Sequence, residues 1–240
     1  MIKRMLDAVV GRVSSRLAND VSRLIVQRTY AQELHPGILV RRRTQEEAAD
    51  YILAKMPRAL CFAERRDLMK FAVEKVSIPG LYLEFGVATG KSIRWIAQLT
   101  KATVHGFDSF DGLPEDWSGS SFGKGGFSQG GRMPDVPANV QLHAGWFDKT
   151  LPAFFAATPG DCAFLHVDCD LYSSTKTIFD VVGPRLRKGS VIVFDEYFNY
   201  PTWREHEYKA FLEFVSVRGI RYDYRAYARH QVVVILTEVP

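Results

Sequence analysis

Apolar residues at Ile2, Leu6, Val9, Val13, Leu17, Val21 and Leu24 step by threes and fours, so residues 2–28 read as one amphipathic helix with Arg and Lys opposite. His35-Pro36-Gly37 reads as a break. A second helix is predicted over about 45–56, opening near Thr44 with Glu47 three residues on as a capping box. A third is predicted over about 64–76, and Pro79-Gly80 punctuates after it. From there the pattern shortens. Strands are predicted at Leu81–Gly86, Thr103–Asp108, Val140–Ala144, Ala163–Asp168 and Val191–Asp195. Helices are predicted at Lys91–Leu99, 174–186 and about 203–216. Tyr222–Tyr227 and Val232–Thr237 lie close enough to pair as a hairpin. Seven strands alternating with helices predict an α/β fold. Its sheet is mostly parallel, covered on both faces, with one antiparallel strand from the hairpin.

The alternation fails once. Between Asp108 and Val140 no helical period is found, and glycines at 112, 119, 123, 125, 126, 130 and 131 crowd the interval. A loop this long in a compact domain is functional more often than ornamental. It leaves the C-terminal edge of a parallel strand, where open α/β sheets bind ligands, so it is expected to wall a pocket.

Composition sharpens this picture only in places. The 240 residues are 47% apolar, a globular balance that suits one domain with an appendage. The net charge is +4, but residues 1–43 hold nine Lys/Arg against three Asp/Glu, so the remainder carries a net −2. A basic total confined to one segment gives no reason to expect a nucleic-acid partner. Cys61, Cys162 and Cys169 show no CxxC spacing, which argues against a disulfide framework or zinc site and suits a reducing, cytoplasmic setting. No apolar run has the length of a membrane span. The basic N-terminal helix is expected to cover the site or a second subunit. Its alternative is weak contact with an anionic membrane surface.

The informative turn is Glu84-Phe85-Gly86-Val87-Ala-Thr-Gly90-Lys-Ser92. Glycines between strand and helix let a ligand approach bare backbone and a helix N-terminus. A phosphate loop needs four residues between its glycines, and here there are three. Glu84 would also repel a phosphate. A sulfonium- and ammonium-bearing ligand such as S-adenosylmethionine suits the negative charge instead. Asp108, ending the next strand about twenty residues on, is placed to accept hydrogen bonds from ribose hydroxyls.

A second constellation follows the later strands, with Asp168 and Asp170 after one and Asp195 and Glu196 after the next. Four carboxylates at neighbouring strand ends repel unless a cation joins them, and oxygen-only donors favour a hard ion such as Mg²⁺. The alternative is helix capping, above all for Asp170 beside Ser173, Ser174 and Thr175. His166 reads as a core residue and Cys169 as a small buried filler.

Taken in order, Glu84-Phe-Gly86-Val-x-x-Gly90, Gly106-Phe-Asp108-Ser-Phe110-Asp-Gly112-Leu-Pro114, Gly145-Trp146-Phe147, His166-Val-Asp168-x-Asp170-Leu-Tyr172 and Val193-Phe-Asp195-Glu196-Tyr197 resemble the macrocin O-methyltransferase (TylF-like) family of class I methyltransferases. The resemblance spans roughly 81–200. It implies a Rossmann-like methyltransferase domain at 79–240 behind a helical extension or lid at 1–78, and a homodimer. It implies adenosylmethionine at Glu84, Gly86, Gly90, Asp108, Ser109 and Phe110, with Phe85, Val87, Ser92 and Asp168 beside them and Trp146 and Phe147 near the adenine. It implies Mg²⁺ on Asp168 and Asp195, with Glu196 standing where the family usually has Asp. The expected reaction is methylation of a hydroxyl on a sugar or other small natural-product or glycan acceptor, with Asp170 as candidate base and Asp168 as the other candidate. An adenosylmethionine-binding module without turnover and a nucleotide hydrolase are the rival readings.

Overall fold

The computed structural model describes residue 14 and residues 17–27 and 35–240. The chain divides into two compact units, Met1–Glu46 and Glu47–Pro240. In the first, residues 17–27 are helical and present Leu17, Val21, Leu24, Ile25 and Val26 at exposed positions. Ile2, Leu6, Val9 and Val13 of the predicted stripe lie outside the described residues. Helix α1 (Pro36–Lys55) starts well before the predicted boundary. Pro36 opens it, because proline's fixed φ and missing N–H suit a helix's first position as well as a break. Thr44 is therefore no cap; it lies mid-helix and its Oγ1 donates to the Val40 carbonyl.

The second unit runs β1 (Leu60–Cys61), α2 (Arg65–Glu74), β2 (Leu81–Phe85), α3 (Lys91–Leu99), β3 (Val104–Asp108), β4 (Val140–Ala144), α4 (Phe147–Ala157), β5 (Cys162–Val167), α5 (Tyr172–Val182), β6 (Leu186–Phe194), α6 (Glu207–Arg218), β7 (Arg221–Tyr227) and β8 (Val232–Glu238). One sheet contains all eight strands in the order β1-β7-β8-β6-β5-β2-β3-β4. Only β8 runs against its neighbours, β6 and β7. The strand beyond the predicted seven is β1, two exposed residues paired parallel to β7. This pairing brings part of the expected 1–78 extension into the sheet.

Strand alternation sorts the core. Leu83, Phe85, Leu165, Val167, Ile192 and Phe194 pack with α4, α5 and α6 on one face. Phe164, Val191, Val193 and Val104 pack with α2 and α3 on the other. Both faces are covered, so the central strands read as apolar runs. Strand β2 lies between β3 and β5, and the chain's crossovers leave it in opposite directions. The crevice outside such a switch point is where this architecture takes its ligands.

Candidate active site

Gly86 follows β2 with φ +90°, and a Cβ there would meet the Asp168 carbonyl oxygen at 1.7 Å. Glycine alone lets the ends of β2 and β5 come this close. Asp108 then fixes the turn. Its Oδ2 accepts from the Val87 and Ala88 amides at 2.8 and 2.7 Å, and its Oδ1 from the Phe110 amide at 2.7 Å. Gly90, at φ +78°, starts α3.

A cavity of about 400 Å³ opens beside this turn. Gly86, Val87, Asp108 and Ser109 form one wall, and Asp168, Asp170, Asp195 and Glu196 form another. Trp146 and Phe147 enter from the β4–α4 turn. Leu113, Trp117, Phe122 and Phe127 come from the glycine-rich loop, which does wall the pocket.

Five sequence-predicted residues stand off the cavity wall. Leu83 and Phe85 point to the α4–α6 face, so Glu84 points to the other and is fully buried, accepting a hydrogen bond from Ser92 Oγ. Phe85 is core, stacked on Phe107 and edge-on to Phe147. Phe110 is buried at φ +57° and Gly90 packs against Pro134. Glu84, Phe85, Gly90, Ser92 and Phe110 thus build the turn from behind.

The acidic wall holds two groups that sequence reasoning missed. Arg65, the first residue of α2, reaches Asp168 Oδ2 with Nη2 at 2.6 Å and Asp195 Oδ1 with Nε at 2.7 Å. It lies 103 residues from Asp168 and 130 from Asp195, and nothing local in the sequence marks it. Glu207, at the start of α6, accepts from the Cys169 amide at 3.4 Å and the Glu196 amide at 3.1 Å, joining both acidic turns. An acid in a helix's first turn was a signal, but also an ordinary one.

Carboxyl groups are concentrated here, with Asp170, Asp195 and Glu207 buried. Burial pushes the Asp168 and Asp170 carboxyls up, and neighbouring carboxylates push them further. Glu196 and Glu207 rise well above the usual range for the same reasons. Asp195 goes the other way: burial would raise it, but His166 and Arg65 outweigh that. His166 is buried between Glu84 Oε1 (3.3 Å) and Asp195 Oδ1 (3.7 Å). Burial would lower its imidazole, yet these two acids hold it up at about 10. Asp170 does not take the capping role. The N-cap of α5 is Leu171, without a side-chain capping bond, and Asp170 sits at φ +64° facing the cavity. Cys169 is buried, its thiol raised by burial and Glu207 and its Sγ 3.3 Å from Thr175 Oγ1.

The donor set fits a hard divalent cation. Oxygens of Asp168, Asp195 and Glu196 lie within 4.8 Å of one another. Glu196 Oε2 is buried without a hydrogen-bond partner, and the buried Asp195 Oδ1 has only its ion pairs with Arg65 and His166.

Residues 83–197 match a family described as methyltransferase domain. Over that stretch, just under half its length, the chain is similar to methyltransferase domains. A curated relative from Streptomyces olivaceus, 8-demethyl-8-(2,3-dimethoxy-alpha-L-rhamnosyl)-tetracenomycin-C 4'-O-methyltransferase, is 28% identical over 165 residues. That match covers 56% of this chain and 60% of the relative, under two thirds of its length. The calicheamicin methyltransferase CalS11 superposes with TM-score 0.61 at 21% identity, covering 84% of this chain and 93% of that one. The O-methyltransferase NovP gives 0.56 at 24%, covering 72% and 80%. The two structures establish the Rossmann-like methyltransferase fold. The matches together support the TylF-like resemblance carried by the motifs. They also favour the adenosylmethionine reading of the glycine turn over the phosphate loop.

Proposed function

We propose that the methyltransferase domain moves a methyl group from S-adenosylmethionine to a hydroxyl of a small acceptor, a sugar on a natural product being the favoured class. One observation carries this reading: the glycine turn with Asp108 and the acids Asp168, Asp170, Asp195 and Glu196 face a single cavity. The cofactor is assigned to the wall of Gly86, Val87, Asp108 and Ser109, with Trp146 and Phe147 against its adenine. The sugar class is supported by two relatives: the curated tetracenomycin enzyme acts on a rhamnosyl compound, and CalS11 is described as a TDP-rhamnose 3'-O-methyltransferase.

The reaction is an in-line displacement: the acceptor oxygen forms a bond to the methyl carbon as the carbon–sulfur bond breaks. S-adenosylhomocysteine leaves, and the hydroxyl proton must go elsewhere. Asp170 faces the cavity, and its raised affinity for a proton makes it the assigned acceptor. Asp168, Asp195 and Glu196 are assigned to Mg²⁺. When bound there, the ion supplies positive charge that makes a nearby hydroxyl more acidic. Trp117, Phe122 and Phe127 present an apolar wall that excludes water and offers ring faces to a sugar.

The test is S-adenosylhomocysteine formation across a panel of hydroxyl acceptors, with cofactor affinity measured in parallel. Asp195→Ala is expected to cut turnover at least a hundredfold while adenosylmethionine still binds. Full activity of that variant in EDTA would remove the metal assignment. Cofactor binding without turnover on any acceptor would favour the silent-module reading.

A further inference from the structure

The acidic wall already contains a cation belonging to the chain. We infer that Arg65 competes with the divalent metal for Asp168 and Asp195, so that metal entry requires the guanidinium to swing out. This inference rests on the metal assignment proposed above.

Arg65 contacts one oxygen on each acid, Asp168 Oδ2 and Asp195 Oδ1, through two nitrogens of one planar fork. Asp195 is almost wholly buried, and its Oδ1 has no hydrogen-bond partner beyond the ion pairs with Arg65 and His166. Magnesium binds carboxylate oxygens at about 2.0–2.1 Å. An ion on Asp168 Oδ2 would therefore lie within about 5 Å of the Arg65 nitrogen that now holds that oxygen. Like charges at that range, in a site mostly shielded from water, oppose each other strongly. Guanidinium and metal are alternative occupants of one pair of ligands.

The arginine is placed to leave. Its side chain is one-third exposed and lines the cavity, so it can turn toward solvent without unpacking α2. Leu68, Met69, Ala72 and Val73 anchor that helix in the core. The remaining acids explain why a counter-ion is needed in the metal-free state. Asp170 and Glu196 line the same cavity wall as the pair, and His166 Nε2 lies 3.7 Å from Asp195 Oδ1. Arg65 is thus a positioning residue that keeps the acids together until a metal takes them.

Mn²⁺, followed by its free-ion electron paramagnetic resonance signal, serves as the probe on the full chain. Arg65→Gln is expected to bind Mn²⁺ at least tenfold more tightly than the unaltered protein. Arg65→Lys, which keeps the charge, should stay within about threefold. In the unaltered protein, Mn²⁺ should also speed phenylglyoxal labelling of Arg65, read by peptide mass spectrometry. That measurement stands even if a variant fails to fold. Equal or weaker Mn²⁺ binding by a folded Arg65→Gln would overturn the inference, as would labelling unchanged or slowed by Mn²⁺. Thermal shift with adenosylmethionine separates the two failures. If the cofactor binds but Mn²⁺ binds neither protein, the competition and the metal assignment fall and methyl transfer stands. If the cofactor does not bind, the methyltransferase reading itself fails.

Discussion

Asp108 gives both carboxylate oxygens to backbone amides, two in the glycine turn and one in the loop beyond β3. It therefore shapes the cofactor wall as well as facing it. Hydrogen bonds to a charged group contribute about 1.5–3 kcal/mol, which is roughly 10–150-fold in affinity. Asp108→Ala is expected to weaken adenosylmethionine by that factor in calorimetric titration; an unchanged dissociation constant would place the cofactor elsewhere. Asp108 was legible because spacing alone puts an acid at the end of the next strand. Glu84 was legible as a residue but not as a side chain. Its type suggested contact with a cationic ligand, whereas strand alternation turns it inward to Ser92 and His166. Arg65 was illegible because its role exists only after α2 has packed against the strand ends.

At the level of elements, boundaries were readable where period and punctuation agree. Lys91–Leu99 and Val140–Ala144 fall where the pattern puts them. Two features misled. Proline reads as a breaker, yet Pro36 opens α1 and Pro152 sits inside α4, a helix the pattern did not reveal. A two-residue strand such as β1 has no alternation to detect. Helix α6 illustrates what an element adds to a site. Its first residue, Glu207, bonds the amides of Cys169 and Glu196 and so ties the turn after β5 to the turn after β6. Removing that carboxyl leaves buried amides unmet, at a cost of about 1–3 kcal/mol. Glu207→Ala should lose about that much in urea unfolding. Burial raises the Glu207 carboxyl well above its ordinary range, so the uncharged Glu207→Gln, which keeps an acceptor oxygen, should lose less than half as much. Equal losses would mean that the charge, or the side chain's bulk, matters more than its hydrogen bonds.

For the whole molecule, the α/β class and the seven main strands were legible because both faces of the sheet are apolar and the crossovers are helical. The strand order was not, since it depends on pairings between distant segments. At the β3–β4 edge, His105 Nδ1 and His143 Nε2 lie 3.2 Å apart, packed around Phe154. Burial and the neighbouring His143 push His105 down to about 4, and burial lowers His143 too. Below about pH 6.5 the unfolded chain takes up protons that the folded pair refuses. This contribution to stability is full above that pH and is lost as pH falls toward 4. The urea midpoint should drop over that interval, and His105→Gln should flatten the drop. An identical slope in the variant would locate the acid sensitivity elsewhere.

The placement of β8 carries a consequence for synthesis. It is the last strand in chain order, yet it lies inside the sheet between β6 and β7. Until residues 232–238 leave the ribosome, β7 has no route to the rest of the sheet, and β1, made some 170 residues earlier, can dock only on β7. At roughly 5–20 residues per second, that is a wait on the order of ten seconds or more. For the last part of that wait, the roughly 40 residues between the end of β6 and the start of β8, the nascent protein presents the bare rim of β6.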